Sequence, residues 1–258
     1  MSITKSKKVI SLSLSKGRYS EMIDEIVDLS CSKISSYVCV ANVHMAVMGF
    51  QDRSYASMVN KAELVTPDGM PLVWALKLLY GIKSERMAGM DLLPDLLSKA
   101  EKLQIPVYFY GGTNQMLNKT SYYLQSKHPE LKIAGMYSPP FRFLKPEEEE
   151  KVIERINKSG AGLVFVILGC PKQEKWMAAM KGRINSVMIG IGGALPVMIG
   201  LQKRAPGWMQ KKGLEWLYRL CQEPRRLFKR YAVTNSLFVF FLLREFVKVK
   251  MMKYEYSA

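Results

Sequence analysis

Histidine occurs only twice in the 258 residues, at His44 and His128, and the four cysteines (Cys31, Cys39, Cys170 and Cys221) stand far apart with no CxxC pair. There is no DxD sequence and no His, Asp and Glu cluster at ligand spacing. Neither a zinc site nor a bound divalent cation is therefore signalled. The same cysteine pattern offers no disulfide framework and points to a reducing, cytosolic compartment. GxSxG is missing, so a serine hydrolase is not suggested. Long apolar runs are missing too. "YAVTNSLFVFFLL", from Tyr231 to Leu243, has 13 residues between Arg230 and Arg244, short of the roughly 20 that a spanning helix needs. The opening "MSITKSKKVISLSLSKG" has no continuous apolar core or cleavage site, so no signal peptide is expected. Acid is scarce: 22 Asp and Glu face 38 Lys and Arg, a net charge of +16. Such an excess implies a polyanionic partner, which nucleic acid, an anionic membrane surface or phosphorylated substrates would supply.

What is present is a folded chain, 48% hydrophobic and 23% charged, long enough to bury a real core. Four apolar, β-branched runs, "YVCVANV" (37–43), "VYFYGG" (107–112), "AGLVFVILG" (161–169) and "VMIGIGG" (187–193), read as strands. Helical patterns separate them at 92–103, 115–128 and 146–160. Strands alternating with helices predict an α/β fold with a mainly parallel, Rossmann-like sheet covered on both faces. Ligands in such folds sit beyond the carboxyl ends of the strands. Pro146 and the four glutamates after it read as a solvated first helical turn, with acids at the positive end of the dipole. From about residue 200 the composition changes. Residues 200–258 hold thirteen Lys and Arg against four Asp and Glu, which divides the chain into a domain at 1–200 and a basic, amphipathic appendage at 201–258.

Several loops are candidate binding sites. Gly111-Gly112 after a strand would let backbone N–H groups approach a phosphate or nucleoside, but the pair lacks GxGxxG spacing and a tight βα turn accounts for it equally well. In "ILGCPKQEKW" (167–176) Pro171 fixes a turn, and Lys172 and Gln173 open a helix whose N-terminus suits an anion and a sugar or base. Glu174 in that turn is assigned to the helix dipole. Arg86 has the chemistry to hold a phosphate but its local sequence leaves the role undecided, and Asp91 is assigned to capping the helix that begins at Leu92. Asp68, between Thr66-Pro67 and Gly69 in "LVTPDGMPLVWALK", is either a turn residue or a carboxylate whose apolar setting makes it a better base. In the appendage, Arg219, Arg225, Arg226, Lys229 and Arg230 interleave with Trp208, Trp216, Tyr218 and Phe228 ahead of "SLFVFFLL". That combination suits an anionic membrane surface first and a partner subunit, as in a homo-oligomer, second. Nucleic acid comes last, because no stacking aromatics on a sheet or OB-fold are evident.

Together "TPDGMPLVWALK", "ERMAGMDLL", "YFYGGT", "LGCPKQEKWM" and "KRAPGWMQKKGLEWLYRLCQEPRRLFKRY" resemble the WecG/TagA/CpsF glycosyltransferases, in that family's order and from about Val38 to Tyr231. The resemblance implies a metal-independent, cofactor-free, inverting transfer from a UDP-sugar donor, such as UDP-N-acetylmannosamine, to a polyprenyl-diphosphate-linked sugar acceptor. It implies a place on the cytoplasmic face of the membrane, in the synthesis of teichoic acid or another surface polysaccharide, by a peripheral protein. It puts the base at Asp68, substrate contacts at Arg86 and Gln173, and diphosphate-closing arginines at Arg219, Arg226 and Arg230 or Lys229. Asn42, Thr66, Gly111, Gly112 and Lys172 complete the expected substrate site. Two departures fall near the sugar site. Val40-Ala41-Asn42 stands where the family commonly reads Thr-x-Asn, and Leu195-Pro196 where it has Phe-Asp. A non-catalytic nucleotide-sugar or lipid-binding protein on the same fold is the competing expectation.

Overall fold

A computed structural model describes residues 5–255, leaving aside the side chains of Lys211, Arg226 and residues 252–255. The chain opens with an antiparallel hairpin, β1 (Ser6–Val9) and β2 (Leu12–Ser15), followed by α1 (Tyr19–Ser32). Then come β3 (Ser36–Ala41), α2 (Val43–Gln51), α3 (Arg53–Asn60), β4 (Leu64–Pro67), α4 (Met70–Tyr80) and α5 (Gly89–Lys102). The second half holds β5 (Val107–Gly111), α6 (Asn114–Lys127), β6 (Ile133–Tyr137), α7 (Pro146–Lys158), β7 (Leu163–Ile167), α8 (Lys172–Met180), β8 (Val187–Gly190) and α9 (Ala194–Met198). Three helices end it: α10 (Gly207–Lys211), α11 (Glu215–Gln222) and α12 (Pro224–Glu255). β3 to β8 form one parallel sheet in the order β4-β3-β8-β7-β5-β6.

The strands are apolar throughout because both sheet faces are covered, as parallel sheets require. Their side chains alternate between two cores. Tyr37, Cys39, Tyr108, Tyr110, Val164, Val166 and Met188 join the core under α2, α3, α4, α7, α8 and α12. Val38, Val40, Val107, Phe109, Leu163, Phe165 and Ile189 join the one under α1, α5, α6 and α9. The expected α/β architecture is therefore present. β4, β6 and the hairpin are additional to the four strands predicted. β4 (LVTP) is only four residues long, and β6 (IAGMY) is a partly buried edge strand with glycine at its centre, so neither shows the β-branched run by which the other strands were read. The glutamates of α7 form its solvated first turn as expected, paired with Arg142 and Arg183.

The tail does not stand apart from this body. Leu227, Thr234 and Phe238 on α12 are buried, Leu237, Phe241, Leu242 and Phe246 pack against the first core, and Phe241 stacks on Phe50 of α2 at 3.8 Å between ring centroids. Glu245 accepts a hydrogen bond from the backbone N–H of Ile10 in the hairpin turn at 2.5 Å. The apolar segment read as a membrane face thus gives one of its sides to the core. Phe228, Val233, Val239, Phe240, Leu243, Val247 and Met251 remain exposed on α12. Among the described residues no helix is long and apolar enough to cross a membrane.

Candidate active site at the carboxyl ends of the strands

Asp68 follows directly on β4, and its backbone N–H donates to the Ala41 carbonyl at 2.7 Å, extending the β3–β4 pairing by one residue. Gly69, at φ 100°, then turns the chain into α4 with Pro71 in its first turn. A side chain at Gly69 would be strained by that backbone, which fixes Asp68 at the helix entrance. The carboxyl sits within dense protein while keeping partial access to solvent. Loss of water is the main reason that its pKa rises to about 7, and Glu215 adds to the rise. Arg86 and Arg219 pull the other way, and Asp91 adds a smaller upward push.

Three of those neighbours, Arg86, Asp91 and Glu215, interlock with Arg204 in one charge cluster. Arg86 donates to Glu215 at 2.8 Å and to Asp91 at 2.8 Å. Arg204 also pairs with Asp91 and stands 4.0 Å from Glu215. Asp91 is therefore not the helix cap expected of it. α5 begins at Gly89 with Ala88 as its N-cap, and Asp91 bridges two arginines instead. Arg219 reaches over the turn after β8, where a Cβ on Gly193 would come within 2.9 Å of its Nη2. Gln173 of α8 packs on the same turn, its amide against Gly190 and Gly192. Gly213 packs on Met70 and Trp74 of α4, so the appendage rests beside the acid at that helix entrance.

The remaining expected residues are placed as follows. Asn42 caps α2, its side chain accepting from the Met45 N–H at 3.2 Å. Thr66 is fully buried and its hydroxyl has no partner, so it is sealed from the cleft rather than offered to a ligand. Gly111 and Gly112 both take positive φ. A Cβ on Gly111 would fall 2.5 Å from the Ile167 carbonyl oxygen, so the close pairing of β5 with β7 at this point is reason enough for glycine there. Lys172 opens α8 with its side chain exposed. Arg230 lies close enough to His44 of α2 and to Cys170 to act on both electrostatically, and the Arg226 side chain lies outside the described residues. Sequence reasoning missed Arg204, Glu215 and Glu174 as parts of the site. The first two lie inside the quoted appendage motif, whose charges were read only as cations. Glu174 was assigned to the helix dipole, yet its side chain is turned into the protein and is 1% exposed.

An open parallel sheet with an acid of raised pKa at its carboxyl end, and arginines from two parts of the chain beside it, is an arrangement able to take up a proton next to a bound anion. The comparison with known proteins makes this specific. The Glycosyl transferase WecG/TagA/CpsF family matches residues 7–251; the chain belongs to that family and is a glycosyltransferase. It is 32% identical over 195 residues, 75% of this chain and 74% of the relative, to an N-acetylglucosaminyldiphosphoundecaprenol N-acetyl-beta-D-mannosaminyltransferase of Bacillus subtilis strain 168. Proteins of the same description from Bacillus spizizenii and from Staphylococcus aureus strain MW2 are 31% identical over 74% of this chain and 28% identical over 84% of it, covering 73% and 83% of those relatives.

Proposed function

We propose that this glycosyltransferase moves N-acetylmannosamine from UDP to N-acetylglucosamine carried on undecaprenyl diphosphate, with inversion and without a metal ion, at the cytoplasmic face of the cell membrane. The observation that carries this reading is the Asp68 carboxyl at the β4 terminus, held near a pKa of about 7 and flanked by Arg86 and Arg219. The names of the relatives support the sugar and the acceptor. In the reaction, the acceptor hydroxyl oxygen bonds to the anomeric carbon from the side opposite UDP. The bond from that carbon to the diphosphate breaks with its electron pair leaving on UDP, and the hydroxyl proton passes to Asp68. A base with pKa near the working pH is suited to that transfer. Arg219, with Arg226 and Arg230 from α12, neutralises the departing diphosphate, and preorganised cations do so without reorganising water. Asn42, Gly111, Gly112, Lys172 and Gln173 line the donor side. The exposed side of α12 docks on anionic lipid and brings the cleft to its acceptor, in teichoic acid or other surface-polysaccharide synthesis.

UDP release from a panel of UDP-sugars tests this, with a short-chain polyprenyl-diphosphate-N-acetylglucosamine acceptor and EDTA present. Acceptor-dependent release from UDP-N-acetylmannosamine is expected, reduced at least ~100-fold in Asp68→Asn. Release that survives the substitution would remove Asp68 as the base. UDP binding with no release from any donor would favour a binding protein that shares only the fold.

A further inference from the structure

α4 leads away from the candidate base. It begins at Met70, two residues after Asp68, and one of its faces buries Leu72, Val73, Ala75, Leu76 and Leu79. The opposite face of such a helix is ordinarily polar. Here Trp74 and Leu78 stand on it, 52% and 47% exposed. With half-buried Met70 they fall at i, i+4 and i+8, which makes one stripe along the helix. From Met70 to Leu78 the stripe runs about 12 Å. At the near end Gly213 of the appendage packs on it, where a Cβ would come within 3.0 Å of Met70 and 3.4 Å of the Trp74 ring. At the far end lies a cavity of about 120 Å³ between α4 and α12, lined by Leu78, Leu79, Phe246, Val249 and Lys250.

Four of those five lining residues are apolar, so the cavity suits a hydrocarbon better than water. The Lys250 ammonium lies over the Phe246 ring, 5.3 Å from its centroid, and a lysine at such a rim keeps its methylenes on the apolar wall and its charge toward solvent. α12, which forms the second wall, also carries exposed Leu243, Val247 and Met251.

The acceptor proposed above sets a physical problem at this place. Its sugar must reach Asp68 while its polyprenyl chain stays out of water, and a diphosphate joins the two. Without an apolar path from the cleft to the outward side of α12, the first part of the chain would lie in water at every turnover. We propose that the Met70, Trp74 and Leu78 stripe, ending in the cavity between α4 and α12, is the binding track for the isoprene units nearest the diphosphate. This rests on the polyprenyl-diphosphate acceptor of the proposed function. A second copy of the chain is a poorer occupant. Two exposed side chains in line fit a single hydrocarbon chain, whereas a stable interface between proteins buries about 800 Å² on each partner.

Calorimetry on the full chain, without detergent or vesicles, tests the track with inorganic diphosphate, geranyl diphosphate and farnesyl diphosphate. Affinity is expected to rise in that order, by about ten-fold for the last isoprene unit. In Trp74→Ser with Leu78→Ser the three ligands are expected to bind alike, with inorganic diphosphate bound as in the wild type and the thermal midpoint unchanged. Tyr122→Ser, which removes another exposed aromatic from α6, is expected to keep the wild-type order. Equal affinities in the wild type, or none, would overturn the proposal, as would an order that survives the double substitution. A wild type that self-associates in sedimentation, binds the three ligands alike and becomes monomeric in the double variant would give the stripe to a second copy instead. Chain-length-dependent binding with no sugar transfer from any donor would keep the track and remove the acceptor reading. Transfer with the same KM for geranyl-linked and farnesyl-linked acceptors would keep that reading and remove the track.

Discussion

The balance at Asp68 is one of opposing charges at close range. Dehydration and the Glu215 carboxylate raise its pKa, while Arg86 and Arg219 hold it down. The sign of a pH effect follows. As the base, Asp68 must be ionised, so the acid limb of kcat/KM is expected near pH 7 and activity falls below it. Glu215→Gln removes a like charge and frees Arg86 from one of its two carboxylate partners. Both changes favour the ionised form of Asp68, so the acid limb should move to lower pH, which a kcat/KM profile of the variant would show. A limb that stayed in place or rose would mean that Glu215 does not set the ionisation of the base, either directly or through Arg86. Asp68 was legible as a candidate because an acid between proline and glycine, ahead of an apolar helix, is conspicuous in so basic a chain. Asp91 and Glu174 were misread for a common reason. Position in a first helical turn tells where an acid begins, but not which arginine or which sheet lies opposite, and that is settled only when distant elements pack.

At the scale of elements, α12 shows what an apolar run by itself leaves undecided. The run from Tyr231 to Leu243 was read as a single membrane-seeking segment, and the helix divides it. Phe238 and Phe241 face α2, whereas Val239, Phe240 and Leu243 face outward with Val247 and Met251. The two sides should respond differently to substitution. Phe238→Ala opens a cavity in the core and should cost about 3 kcal/mol of stability, read as a lowered thermal midpoint. Phe240→Ser with Leu243→Ser and Val247→Ser should leave that midpoint nearly unchanged and abolish flotation with anionic vesicles at high salt, where the basic residues are screened. Flotation at high salt that survives the triple change would move the apolar docking surface elsewhere. The βαβ core was easier to read, because a strand buried on both faces is apolar at every position and a helix is not. β4 and β6 escaped that pattern, the first by being short and the second by lying at a partly buried edge.

For the whole molecule, the distribution of charge matters more than its total. The net +16 could have been a diffuse coat, but residues 200–258 contribute an excess of nine. The acids of this tail are not idle counter-charges. Glu215 is tied to Arg86 and Glu245 to the hairpin turn, so they fasten the tail to the body, while Lys229, Arg230, Arg244, Lys248 and Lys250 stay exposed along α12 beside its outward apolar side chains. Fixed inward acids and free outward bases give the protein one strongly positive side, on the same helix as its exposed apolar stripe. Two forces then act together at a lipid surface: each basic residue near anionic headgroups contributes about 1 kcal/mol, and the apolar stripe contributes by burial. Only the first is screened by salt. Vesicle binding should therefore be strong on anionic lipid at low salt and fall steeply as salt rises. It should level off at a residual value that the Phe240, Leu243 and Val247 substitutions remove. Binding to neutral vesicles should match that residual at every salt concentration. Equal binding to anionic and neutral vesicles at low salt would mean that the basic side meets the diphosphates of the substrates and not the membrane.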